Sequence, residues 1–316
     1  MRICMVGTGS IAKEHIDAFR EIGGVEFDTV VSRLQENAEK FAERNGFLHA
    51  DTDVDRALER GRFDTVIICS PSNLHASQTE KALQANKDVL VELPIATKYS
   101  DAEKIARLAD QKGKILMVAH IQRFFQPLME VKKRIQEGDF HPYHFTGLWF
   151  FLRRQNVNWK GRPRSWTDNL LWHHTCHVVD VALWLLGAEN VDVSGMLSNP
   201  SETLNIPLDL SITIRTEQGK IAAISTSYNS KWPVHEYTLI GEEDTLIYRN
   251  EKLEGQEGVL CETTVNPIVL QDMEFLNAVR ENRQARVNAW AVLPTMRALQ
   301  RVQNRNPHIL PPEKIA

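Results

Sequence analysis

The hydrophobic and polar positions of the first 120 residues alternate between short apolar runs and segments with helical spacing. The apolar runs are nearly continuous, which is typical of strands covered on both faces, and they predict strands at "RICMV", "VEFDTVV", "FDTVIICS", "KDVLVE" and "KILMVAH". The intervening "IAKEHIDAFREI" carries apolar residues at helical spacing, and "NAEKFAERNG" predicts a helix that ends at Gly46. Strands that alternate with helices predict βαβ units and a parallel sheet, which we assign to a first domain over residues 1–120.

The pattern changes in the rest of the chain. "LMEVKKRIQEG" predicts an amphipathic helix and "YHFTGLWFFLRR" a long strand, and two strand pairs follow in "DLSITIRTEQGKIAAISTSYNS" and "HEYTLIGEEDTLIYRN". Two closing helices are predicted at "DMEFLNAVREN" and "AWAVLPTMRALQRVQ", the second interrupted by Pro294. Strands joined by short turns indicate an antiparallel sheet, so we predict a second, α+β domain over residues 121–316.

Composition narrows the class of protein. The formal net charge of −4 comes without a long run of one sign, which argues against nucleic acid as a partner. The four cysteines are scattered and form no CxxC pair, as expected for free thiols in a reducing compartment. No apolar run is long enough to span a bilayer, and the first residues lack the pattern of a signal peptide. We therefore expect a cytoplasmic protein that binds a small molecule and contacts no membrane.

The stretch "VGTGSIA" places Gly7, Gly9 and Ala12 in a GxGxxA spacing between the first strand and the first helix. In this context the first glycine allows a tight turn, the second lets a pyrophosphate approach the backbone, and the alanine permits close helix–strand packing. The N–H groups that open the helix then face the phosphates. We predict that Gly7, Gly9, Ser10 and Ile11 contact a dinucleotide; the alternative is a tight turn that binds no ligand.

The end of the second strand bears on the choice between NAD and NADP. An NAD site usually has a carboxylate there, bonded to the ribose hydroxyls, but this chain has Ser32 and Arg33. Asp28 lies several residues earlier, inside the strand. Ser32 can donate a hydrogen bond to a 2′-phosphate and Arg33 can pair with it, so we predict NADP, with NAD less favoured. The alternative for Arg33 is a solvated surface charge.

The stretch "CSPSNLHASQTEKALQANKDVLVELP" resembles the Gfo/Idh/MocA oxidoreductases, and the resemblance extends over essentially the whole chain. It implies a Rossmann domain with a parallel sheet, followed by an α+β domain with an open, mostly antiparallel sheet whose face often forms a homodimer. The residues that it implies for cofactor binding lie in the loops after the strands and at the domain junction: Ser70, Pro71, Asn73, His75, Glu92, Pro94 and Arg123.

Two motifs depart from this family. Its usual Glu–Lys–Pro, in which the lysine assists proton transfer at the substrate hydroxyl, is here "ELP", with Leu93 in the place of the lysine. Its second-domain motif begins with an acid, but here the corresponding residues are His173, Thr175, His177 and Asp180. Leucine cannot exchange a proton, so the sugar or inositol dehydrogenase mechanism of the family does not transfer directly.

The run "FLRRQNVNWKGRPRSWTDNLLWHHTCHVVD" resembles a subgroup that acts in bacterial breakdown of lignin-derived aromatics. This implies NADP-dependent oxidation of the cyclic hemiacetal of a semialdehyde with two carboxylates, to a pyrone dicarboxylate. We expect arginine forks to hold such a dicarboxylate, with an aromatic and a histidine beside it: Arg123, Arg153, Arg164, Trp166 and His174. The alternative for these arginines is that they are solvated surface charges. For the whole protein, the alternatives are another dehydrogenase or reductase acting on a sugar or other cyclic aldehyde, and a cofactor-binding regulator without catalysis.

The stretch "LLWHHTCHVVD" is the candidate for proton handling. A hemiacetal hydroxyl is more acidic than a sugar hydroxyl, so a neutral imidazole suffices as general base. We predict His173 or His177 as that base, since a spacing of four places both on one face of a helix, with Asp180 or a nearby carboxylate orienting one of them. A metal site is the alternative that the HxxxH spacing raises, but no third ligand is evident and we predict no metal. A purely structural role is the second alternative.

Overall fold

The structure is a computed structural model, and it describes residues 1–158, 160–161, 163, 169–307 and 309. Strands and helices alternate through the first 118 residues: β1 (Arg2–Val6), α1 (Ser10–Ile22), β2 (Glu26–Val31), α2 (Gln35–Asn45), β3 (His49–Asp51), α3 (Val54–Arg60), β4 (Thr65–Ile68), α4 (His75–Gln84), β5 (Asp88–Val91), α5 (Tyr99–Lys112) and β6 (Leu116–Val118).

The remaining elements are mostly strands: α6 (Gln126–Glu137), β7 (Pro142–Leu152), α7 (His174–Leu186), β8 (Val191–Leu197), β9 (Asp209–Thr216), β10 (Ile221–Ser227), β11 (Asn229–Gly241), β12 (Thr245–Arg249), β13 (Lys252–Gly255), β14 (Gly258–Glu262), α8 (Pro267–Glu281) and α9 (Ala289–Arg305). In the described part of the chain, no helix combines the length and the apolar character needed to cross a bilayer.

The first sheet has six strands in the order β3-β2-β1-β4-β5-β6, and all of its pairs are parallel. This confirms the predicted Rossmann sheet. Its strands are buried because helices cover both faces, which explains why their sequences are continuously apolar. The strand order reverses between β1 and β4, and ligands of such sheets bind outside the carboxyl ends of the strands at this point.

The second sheet has eight strands in the order β14-β13-β12-β11-β7-β10-β9-β8. Only β7 and β10 pair in parallel, so the predicted mostly antiparallel sheet is confirmed. Helix α7 packs against β7, and Gly147 of β7 allows the close approach. A Cβ atom at Gly147 would lie 2.5 Å from Cγ1 of Val178 on α7. The missing side chain therefore sets the distance between helix and sheet.

The predicted interruption at Pro294 is wrong, because α9 continues through this residue. Proline removes one backbone hydrogen bond from a helix, here to the carbonyl of Trp290. The helix nevertheless buries apolar residues on both sides of the proline, among them Val292, Leu293 and Met296. This burial offsets the lost bond.

The chain divides into two compact units. One comprises Met1–Ala119 and Ile268–Leu293, and the other comprises His120–Pro267 and Pro294–Ala316. Residues 268–293, which we assigned to the second domain from the sequence, thus lie in the first unit. Their bonds explain this placement: the Val118 amide donates to the carbonyl of Val287 at 2.9 Å.

Candidate active site

The glycine turn of the first unit has the geometry of a phosphate-binding loop. Gly7 follows β1 with φ +114°, and a Cβ atom there would lie 2.5 Å from the carbonyl oxygen of Cys69. Gly9 is the N-cap of α1, and a Cβ atom there would meet nothing within 4 Å. Ser10 and Ile11 form the first turn of the helix. The open space over Gly9 and the helix N-terminus fit a pyrophosphate at this edge of the sheet.

Two carboxylates, one inside β2 and one at the end of the neighbouring β3, are already bound by other groups. Asp28 is 2% exposed and accepts a hydrogen bond from Thr29 Oγ1 at 2.7 Å. Asp51, at the end of the neighbouring β3, is bound by the guanidinium of Arg56, whose hydrogen bond contributes to lowering the pKa of this carboxyl to about 2 against the effect of burial. Neither acid is therefore available to a ribose.

The residues that remain at the end of β2 are polar and accessible. Ser32 is half-buried and its Oγ lies 3.1 Å from Oγ1 of Thr8 in the glycine turn. Arg33 is exposed. The structure thus brings Ser32 to the phosphate-binding turn, as expected for a residue that contacts the adenosine half of a dinucleotide.

Six predicted cofactor contacts follow β4 and β5: Ser70, Pro71 and Asn73 after β4, His75 as the first residue of α4, and Glu92 and Pro94 in the loop after β5. His75 joins these loops, because its Nδ1 lies 2.8 Å from the carbonyl oxygen of Pro94 and its Nε2 lies 2.8 Å from that of Ser70. The ring is buried, which lowers the pKa of His75. Since both ring nitrogens bind backbone, His75 positions the loops at the carboxyl edge of the sheet.

The substitution in the "ELP" motif is accommodated by burial. Leu93 is 6% exposed, and its amide donates to Oε2 of Glu92 at 3.2 Å. The position that holds a lysine in related enzymes is therefore an apolar packing position in this chain. Any proton transfer has to come from other side chains.

In the second unit, the predicted histidines lie at the beginning of α7. The helix begins at His174, and His173 is its N-cap residue. His177 lies one turn further along. The close approach of α7 to β7 at Gly147 brings these rings onto the aromatic side chains of the sheet.

Trp149 of β7 is the centre of this cluster. Its ring centroid lies 4.9 Å from that of His174 and 5.4 Å from that of His177. His235 lies on β11, which pairs with β7, and its ring stacks on the Trp149 ring at a centroid distance of 4.6 Å and an interplanar angle of 17°. We call Trp149, His174, His177 and His235 the histidine cluster. It combines an apolar surface with several imidazoles on one face of the sheet.

His177 is a candidate for the base within the histidine cluster. Burial lowers its pKa well below the usual value, and neighbouring histidines lower it further. Its Nδ1 is buried and has no hydrogen-bond partner among the residues that the structure describes. His177 is therefore a neutral imidazole near pH 7, the form that accepts a proton.

His174 has a different environment. Its Nδ1 lies 2.5 Å from the hydroxyl of Tyr228, and its ring packs edge-on against Trp149 and Phe151. The neighbouring His173 ring lies 4.6 Å from the His174 ring. These contacts fix the orientation of His174, which suits a residue that orients a substrate.

Asp180, predicted to orient a histidine of the motif, is bound mainly by other groups. It is 1% exposed and accepts hydrogen bonds from Arg123 Nε at 2.8 Å and Nη2 at 2.7 Å, and from Thr295 Oγ1 at 3.1 Å. Nδ1 of His120 lies 3.2 Å from its Oδ2. The Asp180 carboxylate thus orients Arg123 and lies beside the His120 ring, and any ligand of Arg123 has to share its guanidinium with Asp180.

Sequence reasoning missed a hydrogen-bonded row behind the histidine cluster. Tyr237 donates its hydroxyl proton to Oε1 of Gln122 at 2.6 Å, and Nε2 of His235 lies 2.9 Å from the same hydroxyl oxygen. Nε2 of His235 also lies 3.4 Å from the side-chain nitrogen of Gln122. Burial lowers the pKa of His235 to about 4. His235 is therefore a second neutral imidazole beside Trp149.

The predicted arginines have separate outcomes. Arg153 is 7% exposed, its guanidinium lies 5.0 Å from the centroid of the Tyr228 ring, and its Nη2 donates to Asn156 at 3.2 Å. It thus places buried positive charge next to the partner of His174. Arg164 and Trp166 lie outside the described residues.

The described residues contain no group of three or more histidine, cysteine, aspartate or glutamate side chains that could hold a metal ion. His173 and His177 thus have no third ligand of these types within the described part of the chain. The prediction of a metal-free site stays a prediction.

Two family models match this chain. That of the oxidoreductase family with an NAD-binding Rossmann fold matches residues 1–120, and that of the C-terminal region of bacterial oxidoreductases matches residues 128–265. The chain is also 35% identical over 305 residues to 4-carboxy-2-hydroxymuconate-6-semialdehyde dehydrogenase of Sphingobium sp., with 95% of this chain and 96% of the relative covered. It belongs to the Gfo/Idh/MocA oxidoreductases. The predicted family is thus confirmed.

Three further proteins are similar to this chain at lower sequence identity. The NAD-dependent scyllo-inositol 2-dehydrogenase of Bacillus subtilis is 26% identical over 242 residues, covering 73% of this chain and 68% of its own. Among solved structures, levoglucosan dehydrogenase in complex with NADH and levoglucosan has a TM-score of 0.84 at 18% identity, with 96% of each chain covered. An oxidoreductase from Agrobacterium radiobacter, in complex with NAD⁺, L-tartaric acid and magnesium, has a TM-score of 0.84 at 16% identity, covering 96% of this chain and 95% of its own. These two structures support the fold.

Proposed function

We propose that this protein is an NADP-dependent dehydrogenase that oxidises the cyclic hemiacetal of 4-carboxy-2-hydroxymuconate-6-semialdehyde to 2-pyrone-4,6-dicarboxylate. The observation that carries the proposal is the half-buried imidazole of His177 against the Trp149 ring, in a chain that has the buried Leu93 where the family has its lysine. The similarity to the Sphingobium enzyme over nearly the whole of both chains supports the substrate.

The oxidation removes one hydride and one proton from the hemiacetal. When NADP⁺ is bound, its nicotinamide supplies the acceptor for the hydride from the hemiacetal carbon. The hydroxyl proton goes to an imidazole, and the C–O bond becomes the carbonyl of the lactone. The acidity of a hemiacetal hydroxyl makes a base with a pKa below that of lysine sufficient.

We assign the base to His177, with His173 as the second candidate, and a substrate-orienting role to His174. Asp180 supports this end of the site through Arg123 and His120. Arg153 supplies buried positive charge for a substrate carboxylate. An arginine fork fixes the orientation of a planar carboxylate, which favours a reproducible hydride-transfer geometry.

Single-turnover hydride transfer tests the assignment of the base. We expect His177→Asn to slow the step by roughly 100-fold or more, the usual contribution of general base catalysis. His141→Asn is the matched control, because His141 is an exposed residue immediately before β7 and pairs with Glu243. Near-full rates in both His173→Asn and His177→Asn would refute the assignment. Turnover of sugars but not of the muconate semialdehyde would favour a sugar dehydrogenase, and cofactor binding without any turnover would favour a regulator.

The preference for NADP rests on the end of β2. The carboxylates of Asp28 and Asp51 are committed elsewhere, which leaves Ser32 and Arg33 to meet the 2′-position of the ribose. Dissociation constants for NADP⁺ and NAD⁺ test this proposal directly. Tighter binding of NAD⁺ would contradict it.

We also propose a homodimer through the face of the eight-stranded sheet opposite α7. The strand register places four exposed apolar side chains on that face: Leu152, Met196, Ile221 and Ile240. Ile221 and Ile240 both pair with His144 of β7 and flank it in one row of this face, and exposed apolar surface marks protein interfaces. Sedimentation velocity of the wild type and of Ile240→Lys tests the proposal, and a monomeric wild type would contradict it.

A further inference from the structure

Three ionisable side chains of the first unit form a buried chain of hydrogen bonds. His15 on α1 is 0% exposed, and its Nδ1 lies 2.9 and 2.8 Å from the two carboxylate oxygens of Asp272 on α8. Its Nε2 lies 3.1 Å from Oε1 of Glu92, which follows β5. The Asp272 side chain is 0% exposed and that of Glu92 is 15% exposed. We call these residues the Asp272–His15–Glu92 triad.

Proton counting assigns the charges of the triad. An ionised carboxylate only accepts hydrogen bonds, so an imidazole between two carboxylates satisfies both only when both of its nitrogens carry protons. Burial on its own lowers the pKa of His15, but Asp272 raises it, and the pKa lies well above its usual value. Burial also raises the pKa of Asp272. Asp272 and His15 hold one titrating proton between them and are together neutral whichever of them carries it, so Glu92 carries the net charge of −1 and is the most accessible member of the triad.

The triad also fixes the direction of the Glu92 carboxylate. Oε1 is held by His15, and Oε2 accepts the amide proton of Leu93 at 3.2 Å. Asp272 in turn holds His15 through both of its oxygens. A carboxylate whose two oxygens are held in this way keeps one orientation.

The strand order indicates which part of a dinucleotide meets Glu92. The pyrophosphate site is at Gly9, after β1, and the adenosine ribose site is at Ser32, after the neighbouring β2. β4 and β5 lie on the opposite side of β1, so the nicotinamide end of the dinucleotide extends toward them. Glu92 follows β5 and thus lies on the nicotinamide side of the sheet.

We propose that Asp272 and His15 are positioning residues that hold Glu92 as a fixed carboxylate on the nicotinamide side, so that this protein binds the oxidised dinucleotide more tightly than the reduced one. The oxidised nicotinamide ring carries a positive charge and the reduced ring carries none, so a fixed negative charge stabilises only the oxidised form. The proposal rests on the dinucleotide site of the proposed function. It is independent of the substrate and of the choice between NADP and NAD.

A double-mutant cycle separates this role from a purely structural tether between α1 and α8. The dissociation constants of NADP⁺ and NADPH, or of NAD⁺ and NADH if these bind more tightly, are measured by calorimetry without substrate. The proteins are the wild type, His15→Asn, Glu92→Gln and the double variant. His49→Asn, in the edge strand β3, is the control for loss of an imidazole.

Glu92→Gln is expected to weaken binding of the oxidised form by roughly tenfold, the loss of one charge-assisted interaction, and to leave the reduced form nearly unchanged. His15→Asn is expected to do the same, and the double variant to be no weaker than Glu92→Gln, because His15 acts through Glu92. If His15→Asn does not fold, Asp272→Asn provides a second test, because it weakens the hydrogen bonds that hold His15. Equal effects on both redox forms, or additive effects of the two substitutions, would overturn the inference.

The outcomes distinguish this inference from the proposed function. Wild-type binding that favours the oxidised form, without turnover of the muconate semialdehyde, leaves the inference standing and removes the proposed substrate. Turnover of that substrate, with the same ratio of oxidised to reduced binding in the wild type and in Glu92→Gln, keeps the proposed function and removes the inference. A wild type that binds no nicotinamide dinucleotide overturns both.

Discussion

Replacing Asp180 by asparagine is expected to remove a large part of the stability of the second unit. The substitution keeps the size of the side chain but removes the charge that the buried Arg123 guanidinium faces at 2.8 and 2.7 Å. Arg123 is 8% exposed and Asp180 1%, so water cannot replace the lost partner. Removing one partner of a buried ion pair costs about 3–5 kcal/mol of unfolding free energy.

The pH dependence of this loss has a defined sign. Burial on its own raises the pKa of Asp180, but Arg123 and His120 lower it below the usual range for aspartate. A carboxyl whose pKa is lower in the folded than in the unfolded state stabilises the fold above the unfolded value of about 3.9, and loses that effect as the pH falls further. The difference in stability between the wild type and Asp180→Asn is therefore expected to be constant from about pH 5 to 8 and to shrink below about pH 4.

Urea unfolding at several pH values measures both effects. The apolar double variant Arg123→Met/Asp180→Leu is expected to recover most of the loss, because it leaves no buried charge unpaired. Asp192→Asn is the matched control: its ion pair with Arg215 is solvent-exposed, and the change is expected to have little effect. A loss below about 1 kcal/mol in Asp180→Asn, or a double variant that loses the sum of the two single losses, would refute the reasoning.

Three further predictions concern binding and packing. Arg33→Ser is expected to weaken the binding of NADP⁺ roughly 10- to 100-fold and to change the binding of NAD⁺ little, as measured by calorimetry. Equal losses of affinity for both cofactors would contradict a contact between Arg33 and the 2′-phosphate. Gly7→Ala is expected to destabilise the first unit by about 1–3 kcal/mol in thermal unfolding, because its φ of +114° and the nearby carbonyl of Cys69 exclude a Cβ atom. Tyr228→Phe is expected to lower the free energy of unfolding by about 1 kcal/mol, because one hydrogen bond is lost. The same change releases the His174 ring and is expected to raise KM more than it lowers kcat; unchanged kinetics would argue against an orienting role for His174.

The fold could be predicted from the sequence because its signals are local. The apolar runs and the glycine turn at Gly7 each specify an element from neighbouring residues, and the strands of the first sheet follow from their alternation with helices. The interruption expected at Pro294 was wrong because a local rule, the missing amide proton, was outweighed by burial along α9. Local reasoning cannot weigh such tertiary contacts.

The candidate site was predicted only where its residues are neighbours in sequence. The spacing of His173 and His177 drew attention to α7, but His235 joins the cluster through the pairing of β11 with β7, which sets His235 opposite Trp149. His15 and Asp272 are 257 positions apart in the chain. One signal was present: His15 lies on the apolar face of α1, where an unpaired polar group would be costly.

Gly147 gives this site a single point of adjustment. The histidines that open α7 belong to one short element, so they move together, whereas Trp149 and His235 belong to the sheet. A methyl group at Gly147 has no room beside Val178 and would push the helix outward as a body. The side chain at position 147 thus sets the distance between the imidazoles of α7 and the Trp149 indole. This distance limits the size of ring that the site admits, although Gly147 takes part in none of the proposed chemistry. Evolution or design could change substrate size there without altering a proton-handling residue.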